Sequence, residues 1–171
     1  MDLGFAVVTL PETDHPTEGE QAPDFVRPLV TSEDWGDKRL SAVAAEEPVL
    51  VVFYPMDGAF PATYMWNELR ERGFDEQYDV QVVGLSISTP YEHMTFIDDR
   101  KLEYSLFSDP QNGVAEQYDI VNDLDGMAGV SEPRPAVFVI DSELTIRYAW
   151  VASQWPEFPD YDDLENAIAS L

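Results

Sequence analysis

An α/β domain is what this 171-residue chain predicts, and three features predict it. Two runs, Pro48 to Pro55 (PVLVVFYP) and Val80 to Ile87 (VQVVGLSI), have the near-continuous apolar character of strands buried on both faces. Each is followed by a segment with helical spacing and helix punctuation. Nearer the C-terminus, Pro135 to Asp141 (PAVFVID) and Thr145 to Val151 (TIRYAWV) flank Ser142 to Leu144 in a hairpin pattern.

Taken in order, residues 1–20 read as a leader packed on a single domain of residues 21–171. Within the leader, Leu3 to Leu10 suits a short strand and Pro11 to Glu20 is polar and turn-forming. After the first apolar run, Pro61 to Arg72 predicts a helix with Ala62, Met65, Trp66 and Leu69 on one face and Gly73 as its stop. After the second, Thr89, Pro90 and Glu92 supply an N-cap, a first-turn proline and a capping-box partner for a helix running to about Lys101. Leu106 and Phe107 form a brief apolar stretch, and Asp109-Pro110 introduces a helix holding Val114, Ala115 and Tyr118. The chain closes with a helix over Asp160 to Leu171, in which Tyr161, Leu164, Ile168 and Leu171 recur periodically. Strands alternating with helices, then a hairpin and a last helix, give parallel strands first and an antiparallel closure.

With 44% hydrophobic residues the chain can build a core, so its acidity belongs on a folded surface. Nine Lys and Arg against 34 Asp and Glu give a net charge of −25, spread from Asp2 to Glu165. At about 1 M salt the Debye length is roughly 3 Å and such self-repulsion is largely screened. Adaptation to concentrated salt is the reading; a dedicated partner for cations or basic proteins would call for clustered acid. Melting temperature is therefore expected to rise between about 0.1 M and 2 M potassium chloride, and a flat or falling curve would exclude salt adaptation. Nucleic-acid binding is disfavoured because no run of Lys and Arg exists to meet phosphates. No stretch approaches the roughly 20 apolar residues of a membrane span, and the first residues lack a basic segment and a small-residue cleavage site. The expected location is the cytoplasm. The chain contains no cysteine, so no thiol or disulfide chemistry is open to it.

Four segments in order carry a resemblance: Ala22-Pro23-Asp24-Phe25, Phe53-Tyr54-Pro55, Leu106-Phe107-Ser108-Asp109-Pro110 and Phe138-Val139-Ile140-Asp141, with Leu40-Ser41 and Gly84 to Ser88 between them. Together they resemble the peroxiredoxin family, the alkyl hydroperoxide reductase and thiol-specific antioxidant (redoxin) branch of the thioredoxin fold. The resemblance implies a thioredoxin-like central sheet flanked by helices. It also implies a loop after Phe-Tyr-Pro with a threonine and then a peroxidatic cysteine in the first helical turn, where the helix N-terminus lowers the thiol pKa. Here Pro55 is kept, Ala59 stands at the threonine position and Ala62 at the cysteine position, with Thr63 after it. The family's arginine, three residues before the Phe of Phe-Val-Ile-Asp, is replaced by Pro135. Arg134 is one residue off, which in an extended segment points it to the opposite face. Pro135 resembles the cis-proline of thioredoxins and is expected to be cis.

The reading that follows is a redoxin-like protein without thiol peroxidase activity, acting as a binding or regulatory module. Two alternatives stay open: a thiol peroxidase in an active-site Cys-to-Ala form, and an oxidoreductase using another cofactor. No phosphate-binding glycine loop and no metal-ligand pattern is present, so neither cofactor nor metal is expected.

Around the vacated position, Tyr54, Phe60, Tyr64 and Trp66 are pocket candidates, with core and rim packing as the plainer role. His93, near Glu92, Asp98 and Asp99, reads as part of a solvated helix cap, and His15 receives no role. Asn122 to Gly126 (NDLDG) reads as a turn, since a calcium loop's full ligand series is missing. Ser86 and Ser88 lack a nucleophile-elbow pattern. The stretch Trp150 to Tyr161, with Trp155, Pro156, Phe158 and Pro159, suits cover for a sheet edge or for the vacated site, with a homodimer contact as the alternative.

Overall fold

The computed structural model describes residues 7–122 and 128–171. Its elements in chain order are β1 (Val8–Thr9), β2 (Val26–Val30), β3 (Trp35–Arg39), α1 (Leu40–Ala44), β4 (Val49–Phe53), α2 (Phe60–Arg72), α3 (Phe74–Gln77) and β5 (Gln81–Ser86). They continue with α4 (Pro90–Arg100), β6 (Ser105–Ser108), α5 (Gly113–Gln117), β7 (Val121–Asn122), β8 (Glu132–Pro133), β9 (Ala136–Ile140), β10 (Ile146–Val151), β11 (Gln154–Trp155) and α6 (Tyr161–Ala169).

The apolar runs become β4 and β5, parallel neighbours in a seven-stranded sheet of order β10-β9-β4-β5-β6-β2-β3. Every residue of β4 and β9 is buried, as a central strand covered on both faces requires. Side chains alternate strictly. Val49, Val51, Phe53, Phe138 and Ile140 face one core with α1 and α5, while Leu50, Val52, Val137 and Val139 face the other with α2, α4 and α6. Gly84 in β5 is a packing requirement, because a Cβ there would come within 2.6 Å of both Leu106 Cδ2 and Trp66 Cζ2. The missing side chain lets α2 lie close on the sheet.

Helix ends follow the local chemistry. Thr89 and Glu92 form the capping box of α4, Gly73 ends α2 at φ 57°, and the Asp160 carboxylate accepts from the N–H groups of Asp162 and Asp163 to start α6. The fragments that carried the resemblance also do structural jobs. Asp24 accepts from the N–H and hydroxyl of Ser41 at 3.0 and 2.8 Å, pinning α1, and Asp141 accepts from the N–H groups of Glu143 and Thr145 to close the β9–β10 turn.

The leader differs from the expected Leu3 to Leu10 strand: β1 is two residues long and pairs with β11, and residues 1–6 lie outside the described part. Most of the predicted Asn122 to Gly126 turn does too. The sheet also gains a hairpin, β2–β3, that the pattern of the chain did not announce.

Candidate functional site

The carboxyl ends of the parallel strands β4, β5 and β6 lie together, the place where open α/β sheets build their sites. Ser86, Ser88 and Ser108 stitch these ends. The Ser108 hydroxyl donates to Ser88 O at 2.6 Å, Ser88 N–H donates to the Ser86 hydroxyl, and Asp57 N–H donates to the Ser88 hydroxyl at 2.9 Å. The loop between β4 and α2 is thus fixed from below.

Its centre is a buried polar chain. The Tyr54 hydroxyl donates to Asp57 Oδ1 at 2.7 Å, His93 Nδ1 lies 2.7 Å from Asp57 Oδ2, and His93 Nε2 lies 2.9 Å from Phe107 O. A carbonyl only accepts, so Nε2 carries a proton, and the short Nδ1···Oδ2 contact then holds a second. That second proton joins a buried Asp57–His93 pair whose side chains are 8% and 0% exposed. Burial first, and the Asp57 charge second, raise the Tyr54 phenol well above its ordinary pKa, so it remains a donor.

His93 is accordingly no solvated cap. It shares the inward stripe of α4 with Phe96 and Ile97, and its i, i+3, i+4 spacing to those two residues was the signal for burial. Asp98 and Asp99 are exposed and take no part in the chain. The other histidine, His15, sits half-buried with its ring edge toward Phe138.

Helix α2 begins over this loop. Ala59 is its N-cap, with no side-chain hydrogen bond to offer, and Phe60, Pro61 and Ala62 follow as the first three helical residues. Ala62 is fully buried and Pro55 is buried beneath it in sequence. Thr63 is half-buried and turns its hydroxyl back to Ala59 O. The four aromatic candidates separate. Tyr54 and Trp66 are core residues packed edge to face at 5.6 Å, whereas Phe60 and Tyr64 lie at the surface, stacked with each other and with Phe158 of the loop before α6. Trp150 to Tyr161 therefore covers the start of α2.

Pro135 is buried, and the bond before it is trans; the cis bond among the described residues is Trp155–Pro156. The thioredoxin-like cis-proline is thus absent at 135. By the alternation of β9, Pro135 shares the Ala62 face and Arg134 the opposite one. Arg134 Nη1 donates to Pro11 O and Ala152 O at 2.9 and 3.1 Å, binding leader to hairpin.

Residues 19–149 match the AhpC/TSA family. The chain is 30% identical over 142 residues to the chloroplastic 2-cysteine peroxiredoxin of Chattonella marina var. antiqua, covering 78% of this chain and 69% of that protein. Among solved structures it resembles Peroxidoxin BcpB from Mycobacterium tuberculosis, with TM-score 0.75 at 23% identity over 92% of this chain and 99% of the other. It also resembles the reduced 2-Cys peroxiredoxin of Plasmodium vivax, with TM-score 0.76 at 20% identity over 91% and 96%. Both likenesses establish the thioredoxin-type fold. By the family match and by the order of its own segments, the chain belongs to the AhpC/TSA family, as a member that contains no cysteine.

Proposed function

We propose that this protein is a redoxin-fold binding or regulatory module of a salt-adapted cytoplasm, without thiol peroxidase activity. The observation that carries the reading is the fully buried methyl group of Ala62 in the first turn of α2, in a chain with no cysteine anywhere to replace it. Around that methyl the scaffold is kept: the Tyr54–Asp57–His93 chain holds the loop, and Phe60, Tyr64 and Phe158 cover the helix start. His93 has no exposed surface with which to meet a substrate. Among the described residues no helix is long and apolar enough to cross a membrane. A homodimer fits this reading through the exposed edge strand β3.

The test is peroxide consumption at 2 M potassium chloride with dithiothreitol as reductant. The expected rate is that of reductant alone, and the purified protein is expected to be colourless and metal-free. Catalysed consumption, or a retained chromophore or metal, would overturn the reading in favour of an oxidoreductase.

A further inference from the structure

The two edges of the sheet are not alike. Strand β10 is partly occupied on its outer side, where Gly19 N–H donates to Ile146 O and Ile146 N–H to Glu20 O. Strand β3, at the other end, pairs with β2 alone, and every residue from Ser32 to Arg39 is exposed. Which of its backbone groups are free follows from two hydrogen bonds. Thr31 N–H donates to Asp34 O and Leu40 N–H to Phe25 O, so the pairs that exchange bonds along this hairpin are Thr31–Asp34, Leu29–Gly36, Arg27–Lys38 and Phe25–Leu40. Trp35, Asp37 and Arg39 alternate with them and turn their N–H and C=O groups outward. Such a row of unpaired donors and acceptors is a template for another strand.

Charge runs along the hairpin from one sign to the other. Its turn carries Glu33 and Asp34, and its far end carries Arg27, Lys38 and Arg39, in a chain that has nine Lys and Arg and a net charge of −25. Arg27 is held by buried Asp109 at 2.8 Å, whereas Arg39 meets Asp24 only at 3.7 Å and stays exposed, and Lys38 has no ion pair among the described residues. Antiparallel pairing of two such hairpins sets the acidic end of each beside the basic end of the other. Trp35 pairs with Val30 and its ring meets Tyr91 edge to face at 6.2 Å, so Trp35, Asp37 and Arg39 all lie on the α4 face of the sheet. On that face Trp35 is 43% and Tyr91 73% exposed, and Val26 is open too, which gives the edge an apolar patch to cover.

We infer that two copies of this chain join through β3, antiparallel about a two-fold axis at Asp37, so that their sheets run on as one. Each outward residue then exchanges two backbone bonds with the residue opposite. Trp35 faces the partner's Arg39, a guanidinium against an aromatic ring, and Lys38 faces the partner's Gly36, where a Cβ would have open space. The charges that ordinarily keep edge strands apart thus meet a ring and a gap. Asp37 alone meets its own copy, a repulsion that molar salt screens. The next register along sets Lys38 against its own copy and carries Trp35 past the partner's Arg39. This interface rests on the homodimer proposed above and not on the loss of peroxidase chemistry, so peroxide turnover would leave it standing.

Sedimentation velocity of the full chain at 2 M potassium chloride is expected to show a monomer–dimer equilibrium with a Kd of about 10 μM, in the weak class that a short strand pair gives. Asp37→Pro removes an outward N–H that β2 does not use, and should abolish the dimer while far-ultraviolet circular dichroism stays as in wild type. Asp37→Asn lifts the repulsion on the axis and should tighten the dimer several-fold, and Trp35→Ala should weaken it by about tenfold or more. Register is read by cross-linking, because the chain has no cysteine of its own. Asp37→Cys should oxidise to a disulfide-linked dimer, since its Cα lies about 5.5 Å from its copy in a hydrogen-bonded pair, whereas Lys38→Cys, which faces the partner's Gly36, should not. Three results would overturn the inference: a wild-type chain still monomeric at about 1 mM, a dimer that Asp37→Pro and Trp35→Ala both leave intact, or Lys38→Cys cross-linking as readily as Asp37→Cys. The first of these would leave the β3 edge to a strand of a different protein.

Discussion

His93→Leu is expected to destabilise the protein by about 3–5 kcal/mol, the range for removing one partner of a buried charge pair. Leucine fills much of the volume of the ring, so the loss is electrostatic. Asp57 is left with one carboxylate oxygen unpaired, and Phe107 O loses its donor. For a chain of this length that corresponds to a fall in melting temperature of roughly 6–20 °C, read by calorimetry at 2 M potassium chloride to hold surface repulsion constant. Asp57→Leu alone should be similarly costly, since it leaves buried His93 Nδ1 and the Tyr54 hydroxyl without their partner. The double variant should cost clearly less than the sum, because an apolar pair replaces a polar one with no group left stranded between them. Additive losses, or a His93→Leu protein within about 1 kcal/mol of wild type, would show that the pair does not hold the loop.

The second large effect is the return of lost chemistry. Ala62→Cys places a thiol at the third residue of α2, where the helix N-terminus lowers its pKa. Single replacement is expected to give only slow peroxide consumption, for three reasons: the position is buried, the loop before it carries the Asp57 carboxyl group, and Ala59 presents no hydroxyl to the peroxide. Ala59→Thr does double duty, since Ala59 is the N-cap and a threonine there should also stabilise α2 by about 0.5–2 kcal/mol. Pro135→Arg puts a cation on the Ala62 face of the sheet. The triple variant should exceed Ala62→Cys by about 100-fold or more, because groups acting on one transition state are not additive. A fast Ala62→Cys enzyme would mean that positions 59 and 135 are dispensable and that the cysteine alone had been removed. A folded but inert triple variant would refute the assignment of these three positions.

Much of the fold was legible because its signals are local. Continuous apolar runs could only be strands covered on both faces, and Thr89 with Glu92 announced α4 before any tertiary contact was considered. The β2–β3 hairpin was hidden for the same reason. Trp35–Arg39 (WGDKR) is exposed along its whole length, with no alternation to read, and Pro28 interrupts β2. These strands exist because they pair: Pro28 faces Asp37, beyond the two residues, Leu29 and Val30, that β2 aligns with β6. At the site, Ala59 and Ala62 could be placed from the motif, whereas Asp57 could not. Its role depends on His93, 36 residues away, and the two meet only when β4 and α4 pack at the same end of the sheet. Pro135 shows the limit of analogy, since a proline at a familiar position need not adopt the familiar isomer.

The leader imposes an order on assembly. Leu10 N–H donates to Ser153 O, Gly19 N–H to Ile146 O and Ala22 N–H to Leu144 O, and Gln21 and Pro11 reach partners 122 and 123 residues away. During synthesis these residues leave the ribosome well before the hairpin that receives them exists. They must wait as free chain while β4 to β6 assemble, and the polar stretch Pro11 to Glu20 suits that wait because it offers little apolar surface to mispair. The earliest part of the domain to be made is therefore among the last to be fastened, and closing so long a loop makes its docking a late folding event.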